Sequence, residues 1–197
     1  MRRIILDTET TGLKPGQIAQ LTYCILEGTK LIKAVNYFFA VDFMPAQAEN
    51  VHGLSKRMLD ELSGGRVFGD AYNDILGDLS GNIFIAYNAN FDIRFLQHEL
   101  KYCGINWEPS LVFCPMKYMA PHMNIDGKKT NKKLTEVVNY FKIPYETITS
   151  QVSKTFKIDL ARAHDARFDV AALAFVTNSI ERKHSVNIND LAYGYAK

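Results

Sequence analysis

The amino-acid sequence predicts an α/β fold in which helices flank a central mixed sheet that opens with an antiparallel meander. Residues 3–8, 18–26 and 31–41 have strand character, and amphipathic helices then alternate with short apolar segments. Strands that come first and later alternate with helices are typical of a sheet covered by helices. A chain of 197 residues with 47% hydrophobic residues is large enough to bury such a core.

The strands are predicted from apolar runs and turn residues. Residues 3–8 form an apolar run without alternation, typical of a strand buried on both faces. Gly28 lies between the next two strands, in a segment suited to a hairpin turn. Two further strands are expected at residues 82–87 and 111–114.

The helices are predicted from apolar residues spaced three and four apart and from capping residues. Ser55 and Asp165 are suited to the N-cap positions of two of them. Residues 145–163 form either a loop or an extra hairpin, and the sequence leaves both readings open. We expect one domain over residues 1–181 and a polar C-terminal tail over residues 182–197. Helices are expected at residues 55–62, 68–79, 91–103, 116–120, 133–141 and 165–180.

Composition narrows the class of protein. Asp7 and Glu9 interrupt the first apolar run, so no signal peptide is predicted, and no run reaches the roughly 18 residues of a membrane span. Cys24, Cys103 and Cys114 lack metal-type spacing and are expected to be reduced thiols of a cytoplasmic protein. The net charge is only +2, so a highly charged partner must meet a local patch.

Four acidic residues occur where a folded protein seldom leaves charge unpaired. Asp7 and Glu9 are two apart near the end of the first strand, so they project from one face. Asp92 and Asp169 each align with the apolar, core-facing stripe of a helix. Each acid could be an ordinary turn or helix-start residue, but burial of all four would be costly without compensation.

A basic side chain, a raised pKa or a bound cation would compensate such burial. Arg94 and Arg167 are the nearest basic residues, but on a helix they point away from Asp92 and Asp169. Two divalent ions would offset all four charges, and oxygen ligands favour Mg²⁺ or Mn²⁺. His164 lies just before the last helix, where it is suited to act as a general base near neutral pH.

Together these residues resemble a known family. Asp7-Thr8-Glu9-Thr10-Thr11-Gly12, then Asn88-Ala89-Asn90-Phe91-Asp92, then His164 followed by Asp169, resemble the three motifs of the DEDDh group of 3′–5′ exonucleases. That group has a ribonuclease-H-like fold and includes the proofreading subunit of bacterial DNA polymerase III and exonuclease X. The three motifs span nearly the whole chain, in the family's order.

The resemblance implies a two-metal hydrolysis of nucleic acid from its 3′ end, with release of nucleoside 5′-monophosphates. Asp7, Glu9 and Asp169 would hold one ion and Asp7 with Asp92 the second, while His164 would take a proton from the attacking water. DNA is favoured over RNA as substrate, since Glu49–Ser55 resembles a stretch of polymerase-associated members. An exoribonuclease acting on short RNA and a polymerase-bound proofreading subunit remain the alternatives.

The same resemblance implies residues that hold the terminal nucleotide. Thr10 and Leu13 would border its sugar and base, and His52 would help to hold it or would be a turn residue. Asn88 would reach a phosphate or steady its loop, and Phe91 would stack on a base or pack in the core. Two basic sets are either phosphate contacts or solvated surface: Lys117, Lys128, Lys129, Lys132 and Lys133; and Lys154, Lys157, Arg162 and Arg167.

Overall fold

The computed structural model describes residues 1–123, 132–158 and 163–195. These residues form one six-stranded mixed sheet with the order β3-β2-β1-β4-β5-β6. β1 pairs antiparallel with β2 and parallel with β4, so it occupies the middle of the sheet. The strands are β1 Arg2–Thr10, β2 Ile18–Glu27, β3 Lys30–Phe38, β4 Ile83–Ile85, β5 Leu111–Phe113 and β6 Tyr193–Gly194.

Helices cover both faces of this sheet, which confirms the predicted α/β fold with its N-terminal meander. A 3-10 turn at Phe68–Asp70 precedes α3, where the sequence predicted one continuous helix. The helices are α1 Ala46–His52, α2 Lys56–Ser63, α3 Tyr72–Leu79, α4 Ala89–Tyr102, α5 Pro115–His122, α6 Leu134–Tyr140, α7 Tyr145–Phe156, α8 Ala166–His184 and α9 Ile188–Leu191.

Alternation along β1 divides the core between the two faces. Ile4 and Leu6 pack in the cluster that includes α3 and α4, whereas Ile5 packs in the cluster that includes α6, α7 and α8. All three side chains are fully buried. The uninterrupted apolar run that predicted a strand buried on both faces therefore corresponds to the centre of this sheet.

The two N-cap residues predicted from the sequence, Ser55 and Asp165, are both confirmed. Ser55 accepts a hydrogen bond from the Met58 N–H, and Asp165 accepts one from the Arg167 N–H.

The segment of residues 145–163, expected to be a loop or a hairpin, instead contains α7, whose Ile148 and Val152 pack against the face of α8. The predictions of a loop and of a hairpin were therefore both wrong. The apolar residues of this segment recur at helical spacing, which favours a helix.

The residues after Glu181 fold back onto the sheet. α8 continues to His184, α9 follows, and β6 pairs antiparallel with β5. Buried Arg3 donates to both carboxylate oxygens of Glu181 at 2.9 and 2.8 Å and to the side chains of Asn187 and Asn189. The described part of the expected tail is thus anchored to β1, and the expected boundary at residue 181 falls inside a helix.

Helix α1 was missed by the sequence analysis. Pro45 precedes it and Gly53 ends it with a φ of 78°, which is a recognised pair of helix-boundary residues. Within the described ranges, no helix has the length and apolar character needed to cross a membrane.

Candidate metal centre and adjoining pocket

Strand β1 directs alternate side chains to opposite helical layers. Thr8 shares a face with Ile4 and Leu6, on the α4 side, whereas Asp7 and Glu9 share a face with Ile5, on the α8 side. The β1–β2 pairing shifts register between Glu9 and Thr10, so the strand is irregular where it ends. Acidic groups from both layers therefore meet at the carboxyl end of the central strand.

Helix α4 brings Asp92 to this point. The residue lies in the first turn of α4 and is only 2% exposed, and its Oδ1 accepts a hydrogen bond of 2.8 Å from the Thr8 hydroxyl. Asn88, which precedes the helix, adopts a left-handed conformation with a φ of 64°. Thr8 was not recognised as a site residue in the sequence, although it lies between the two acids of the first motif.

Helix α8 brings Asp169 and His164 to the same place. Ligand atoms of Glu9, His164 and Asp169 all lie within 4.8 Å of one another. The backbone N–H of His164 donates to Asp169 Oδ2 at 3.1 Å, and His164 has a φ of 65°. Its exposed ring stands beside two carboxylates, so the loop before α8 delivers the imidazole to the acidic cluster.

Burial raises the pKa of each of the four acids, and repulsion from the others adds to it at Asp7 and Glu9. Glu9 and Asp92 are buried, whereas Asp7 and Asp169 are half-buried. Burial and then the charges of Asp169 and Asp92 raise the pKa of Asp7 well above its usual range. Burial, followed by repulsion from Asp169, raises the pKa of Glu9 to about 9. Burial raises the pKa of Asp92 and of Asp169 to about 7. At neutral pH Glu9 therefore holds a proton and Asp92 and Asp169 are partly protonated, and a bound cation would displace these protons.

No basic side chain of the described residues forms an ion pair with any of these four acids. Arg167 pairs instead with Asp165, with its Nη2 2.7 Å from Oδ2, and Arg94 Nε donates to the Asn90 carbonyl. The available donors are mainly carboxylate oxygens, which suit Mg²⁺ or Mn²⁺, with the imidazole of His164 beside them. The donor set and the missing counter-charge both fit divalent ions.

A polar side chain of β2 supports the start of α8. Gln20 is buried, and its Oε1 accepts from the Ala166 N–H while its Nε2 donates to Asp165 and to Asn36. Gln20 was also missed in the sequence, where a polar residue inside an otherwise apolar strand was the available signal. This contact holds the helix that carries Asp169 against the sheet.

A pocket of about 570 Å³ adjoins the acids; we call it the β1 pocket. The predicted substrate residues Thr10, Leu13, His52 and Phe91 line it together with Glu9, whereas Asn88 does not. Phe91 also packs against Phe95 with ring centroids 4.8 Å apart, so it has a core contact as well. The β1 pocket is further lined by Thr8, Thr11, Gly12, Lys14, Pro45, Gln47, Ala48 and Val51.

His52 presents an unusual buried group in this pocket. The side chain is 6% exposed, its Nδ1 accepts from the Leu54 N–H at 3.0 Å, and burial lowers its pKa. A neutral ring that accepts at Nδ1 carries its proton on Nε2. Among the described residues Nε2 makes no hydrogen bond of good geometry, although the Thr10 backbone beside the ring partly offsets the effect of burial on the pKa of His52, so this donor is available to a ligand oxygen.

The structure describes only some residues of the two basic sets that the sequence analysis named. Lys128, Lys129 and Arg162 lie outside the described residues. Arg167 is committed to Asp165 and stands 5.3 Å from the Phe38 ring centroid, so its guanidinium serves the local structure. The geometry therefore gives no support to the prediction that Arg167 contacts a phosphate of the substrate.

Relatives in sequence are exonucleases and DNA polymerase subunits. The chain is 36% identical over 105 residues to DNA polymerase III subunit epsilon of Rickettsia prowazekii, covering 51% of this chain and 44% of that protein. It is 25% identical over 177 residues to the 3′-5′ exonuclease DinG of Staphylococcus saprophyticus, covering 86% of this chain and 17% of that protein. The chain thus spans less than half the length of these curated relatives.

Solved structures share the fold. Exonuclease X in complex with 5′ overhanging duplex DNA superposes with a TM-score of 0.56 at 17% identity, covering 94% of this chain and 95% of that one. Escherichia coli exonuclease I with a dT13 oligonucleotide gives 0.71 at 13% identity, covering 96% and 43%. The nuclease domain of 3′hExo, a DEDDh family member bound to rAMP, gives 0.66 at 10%, covering 92% of each. The predicted ribonuclease-H-like fold is confirmed.

The family model that matches this chain is described as an exonuclease model. It covers residues 4–177, which include all three motifs of the sequence. The resemblance inferred from those motifs is therefore confirmed, and the chain belongs to the RNase_T exonuclease family.

Proposed function

We propose that this protein is a metal-dependent 3′–5′ exonuclease that removes nucleoside 5′-monophosphates from the 3′ end of single-stranded DNA. One observation carries the proposal: a cluster of four acids, unpaired with any described basic residue, adjoins a pocket the size of a nucleotide, and one of the four, Glu9, lines that pocket. Such a cluster suits cation binding beside a phosphodiester, and the family supplies the reaction class.

The acids are proposed as the ligands of two Mg²⁺ or Mn²⁺ ions. Asp7, Glu9 and Asp169 converge on the α8 side, and Asp92 completes the cluster from α4. When bound, the ions would supply positive charge to activate water and to stabilise the departing 3′ oxygen. Thr8 acts as a positioning residue, because its hydroxyl fixes the orientation of the Asp92 carboxylate.

His164 is proposed to remove the proton of the attacking water. Its ring lies on an exposed loop next to Glu9 and Asp169, and its backbone N–H is tied to Asp169. This position allows the imidazole to reach a water near the acids and to pass the proton to solvent. A positioned base of this kind contributes roughly 10²–10⁴-fold in rate.

The β1 pocket is proposed to hold the terminal nucleotide. Thr10, Leu13 and Phe91 provide a mixed polar and apolar wall, and the unpartnered Nε2–H of His52 provides a donor for a sugar or phosphate oxygen. Asn88 lies outside the pocket lining, and its left-handed backbone supports the other predicted role, steadying the loop before Asp92.

Product analysis tests the proposal. Single strands of DNA and RNA, labelled at either the 3′ or the 5′ end, are incubated with Mg²⁺ or with chelator. The proposal predicts release of labelled mononucleotide at once from 3′-labelled DNA, a ladder from 5′-labelled DNA, and no product with chelator or with Asp7→Asn. Faster digestion of RNA would favour the exoribonuclease alternative, and mononucleotides released first from the 5′ end would contradict the polarity.

Association with a DNA polymerase is the second candidate, favoured by the similarity to polymerase III epsilon subunits. The C-terminal tail, residues 182–197, is the candidate docking element for such an association, but its described part packs against β1 through Arg3. Co-purification with a polymerase of the same cell would support association. A cytoplasmic location remains part of the proposal.

A further inference from the structure

Three polar aromatic rings from two helices meet at the C-terminal end of α8, opposite the end that carries Asp169. Tyr118 and His122 belong to the last two turns of α5, and His184 is the last residue of α8. Along the axis of α8, His184 lies about 22 Å from Asp169. None of the three rings has a role in the proposed reaction.

The two histidines lie close together and are accessible to solvent. Their ring centroids are 4.4 Å apart, and the His122 ring stacks on Tyr118 with centroids 4.6 Å apart. His122 is exposed and His184 is half-buried. Two imidazoles on one cation, each with its nitrogen about 2.1 Å from the ion, hold their ring centres roughly 4.5–5 Å apart. The observed separation is close to that value.

Tyr118 holds the Nδ1 atom of both histidines. His122 Nδ1 lies 2.7 Å from the Tyr118 carbonyl oxygen, and His184 Nδ1 lies 3.1 Å from the Tyr118 hydroxyl oxygen. Because a carbonyl oxygen only accepts, the neutral His122 ring carries its proton on Nδ1 and a lone pair on Nε2. A hydroxyl can also accept, so His184 can adopt the same tautomer. Metal-binding histidines are oriented in this way, through a hydrogen bond from the nitrogen that does not bind the ion.

The surroundings of His184 favour its neutral form, which is the form that binds a metal. Burial lowers the pKa of His184, and the charges of His122 and Lys183 lower it further. The Lys183 ammonium is itself engaged by an aromatic ring, with Nζ 3.9 Å from the Tyr140 centroid. The geometry and the charges therefore agree on a pair of neutral imidazoles.

We propose that His122 and His184 bind one divalent transition-metal cation of the Zn²⁺, Cu²⁺ or Ni²⁺ type through their Nε2 atoms, with water in the remaining positions. Imidazole suits these ions, whereas the carboxylates of the acidic cluster suit Mg²⁺ or Mn²⁺. The protein thus has two kinds of cation site at opposite ends of α8. The bound cation joins the end of α5 to the end of α8 and needs neither the acidic cluster nor the β1 pocket.

Nuclear magnetic resonance of the imidazole nitrogens tests this site directly. Zn²⁺ is titrated into ¹⁵N-labelled protein with excess Mg²⁺ at about pH 7.5, above the usual pKa of histidine, and the rings of all five histidines are followed. We expect the Nε2 signals of His122 and His184 to move together and to reach a plateau at the same Zn²⁺ concentration, while both Nδ1 atoms keep their protons. Zn²⁺ at the acidic cluster is followed separately through His164.

Single substitutions assign the ligands. His122→Gln should leave the His184 signals unmoved by Zn²⁺, and His184→Gln should leave those of His122 unmoved. Tyr118→Phe removes the hydroxyl beside His184 Nδ1 and should weaken the binding by about tenfold, as loss of an orienting partner does. His98→Gln, which removes a histidine whose ring meets Tyr102 edge-on, is the matched control and should leave the titration unchanged.

Two results would overturn the inference. One is a Zn²⁺ response confined to His164, and the other is a response of His122 that persists unchanged in His184→Gln. Both glutamine variants should digest single strands in Mg²⁺ at the wild-type rate, because neither residue belongs to the acidic cluster. A protein that binds Zn²⁺ at this pair but cleaves no nucleic acid would refute the proposed nuclease function alone.

Discussion

The substitution Asp92→Asn should stabilise the metal-free protein while abolishing its activity. Burial raises the pKa of Asp92 from 3.8 to about 7. The unfolded chain therefore releases this proton at lower pH than the folded chain, so stability falls as pH rises from about 4 to about 7. Three pH units correspond to about 4 kcal/mol, which is the largest gain that the amide can give above pH 7. The amide oxygen still accepts from Thr8.

Thermal unfolding in chelator measures this effect. At pH 8 the variant should melt about 8–16 °C above the wild type, because roughly 2–4 °C accompanies each kcal/mol in a chain of this size. At pH 3 the two proteins should melt nearly together, since the wild-type acid is then mostly protonated in the folded and in the unfolded state. Asp74→Asn, which changes an exposed acid on α3, is the control and should shift neither curve. A variant no more stable than the wild type at pH 8 would refute the assigned cost of burying this charge.

Three further substitutions separate chemistry from structure. His164→Ala should slow turnover by roughly 10²–10⁴-fold in steady-state assays with saturating Mg²⁺, and undiminished turnover would exclude it as the base. Thr8→Val removes the hydrogen bond that lowers the pKa of Asp92, so half-maximal Mn²⁺ binding should move to higher pH; an unchanged pH midpoint would contradict this. Arg3→Leu should lower the free energy of unfolding in urea by about 3 kcal/mol because it leaves a partly buried carboxylate unpaired, whereas the exposed Arg2→Leu should cost under about 1 kcal/mol. Equal effects would contradict the anchoring role of Arg3.

The acidic cluster could be predicted from the sequence, but the residues that position its acids, Thr8 and Gln20, could not. Asp7 and Glu9 follow a run of residues buried on both faces, and Asp92 lies on an apolar helix stripe, so local periodicity alone indicates that these charges lie near the core. The partners of those acids come from distant segments. The contacts of Thr8 with Asp92 and of Gln20 with α8 depend on packing between elements 84 and 146 residues apart, which no local pattern encodes.

The missed elements have similar physical causes. Helix α1 is short and was interpreted through the His52 motif and not through its flanking proline and glycine. β6 is only two residues long and depends on pairing with β5, so it carries no periodic pattern of its own. The groove lined by Phe43, Val67 and Tyr102 is built from four separated segments of the chain, so only the fold brings these exposed side chains together.

Proton release on metal binding tests the central claim most directly, namely that the buried acids are tolerated because divalent ions replace their protons. Mn²⁺ is titrated calorimetrically at pH 7 in two buffers of different ionisation enthalpy, and the difference in heat gives the protons released. Since the pKa of Glu9 is about 9 and those of Asp92 and Asp169 are about 7, we expect at least one proton to be released per protein at pH 7, and fewer above pH 9. Equal heats in the two buffers, or no Mn²⁺ binding, would contradict the account.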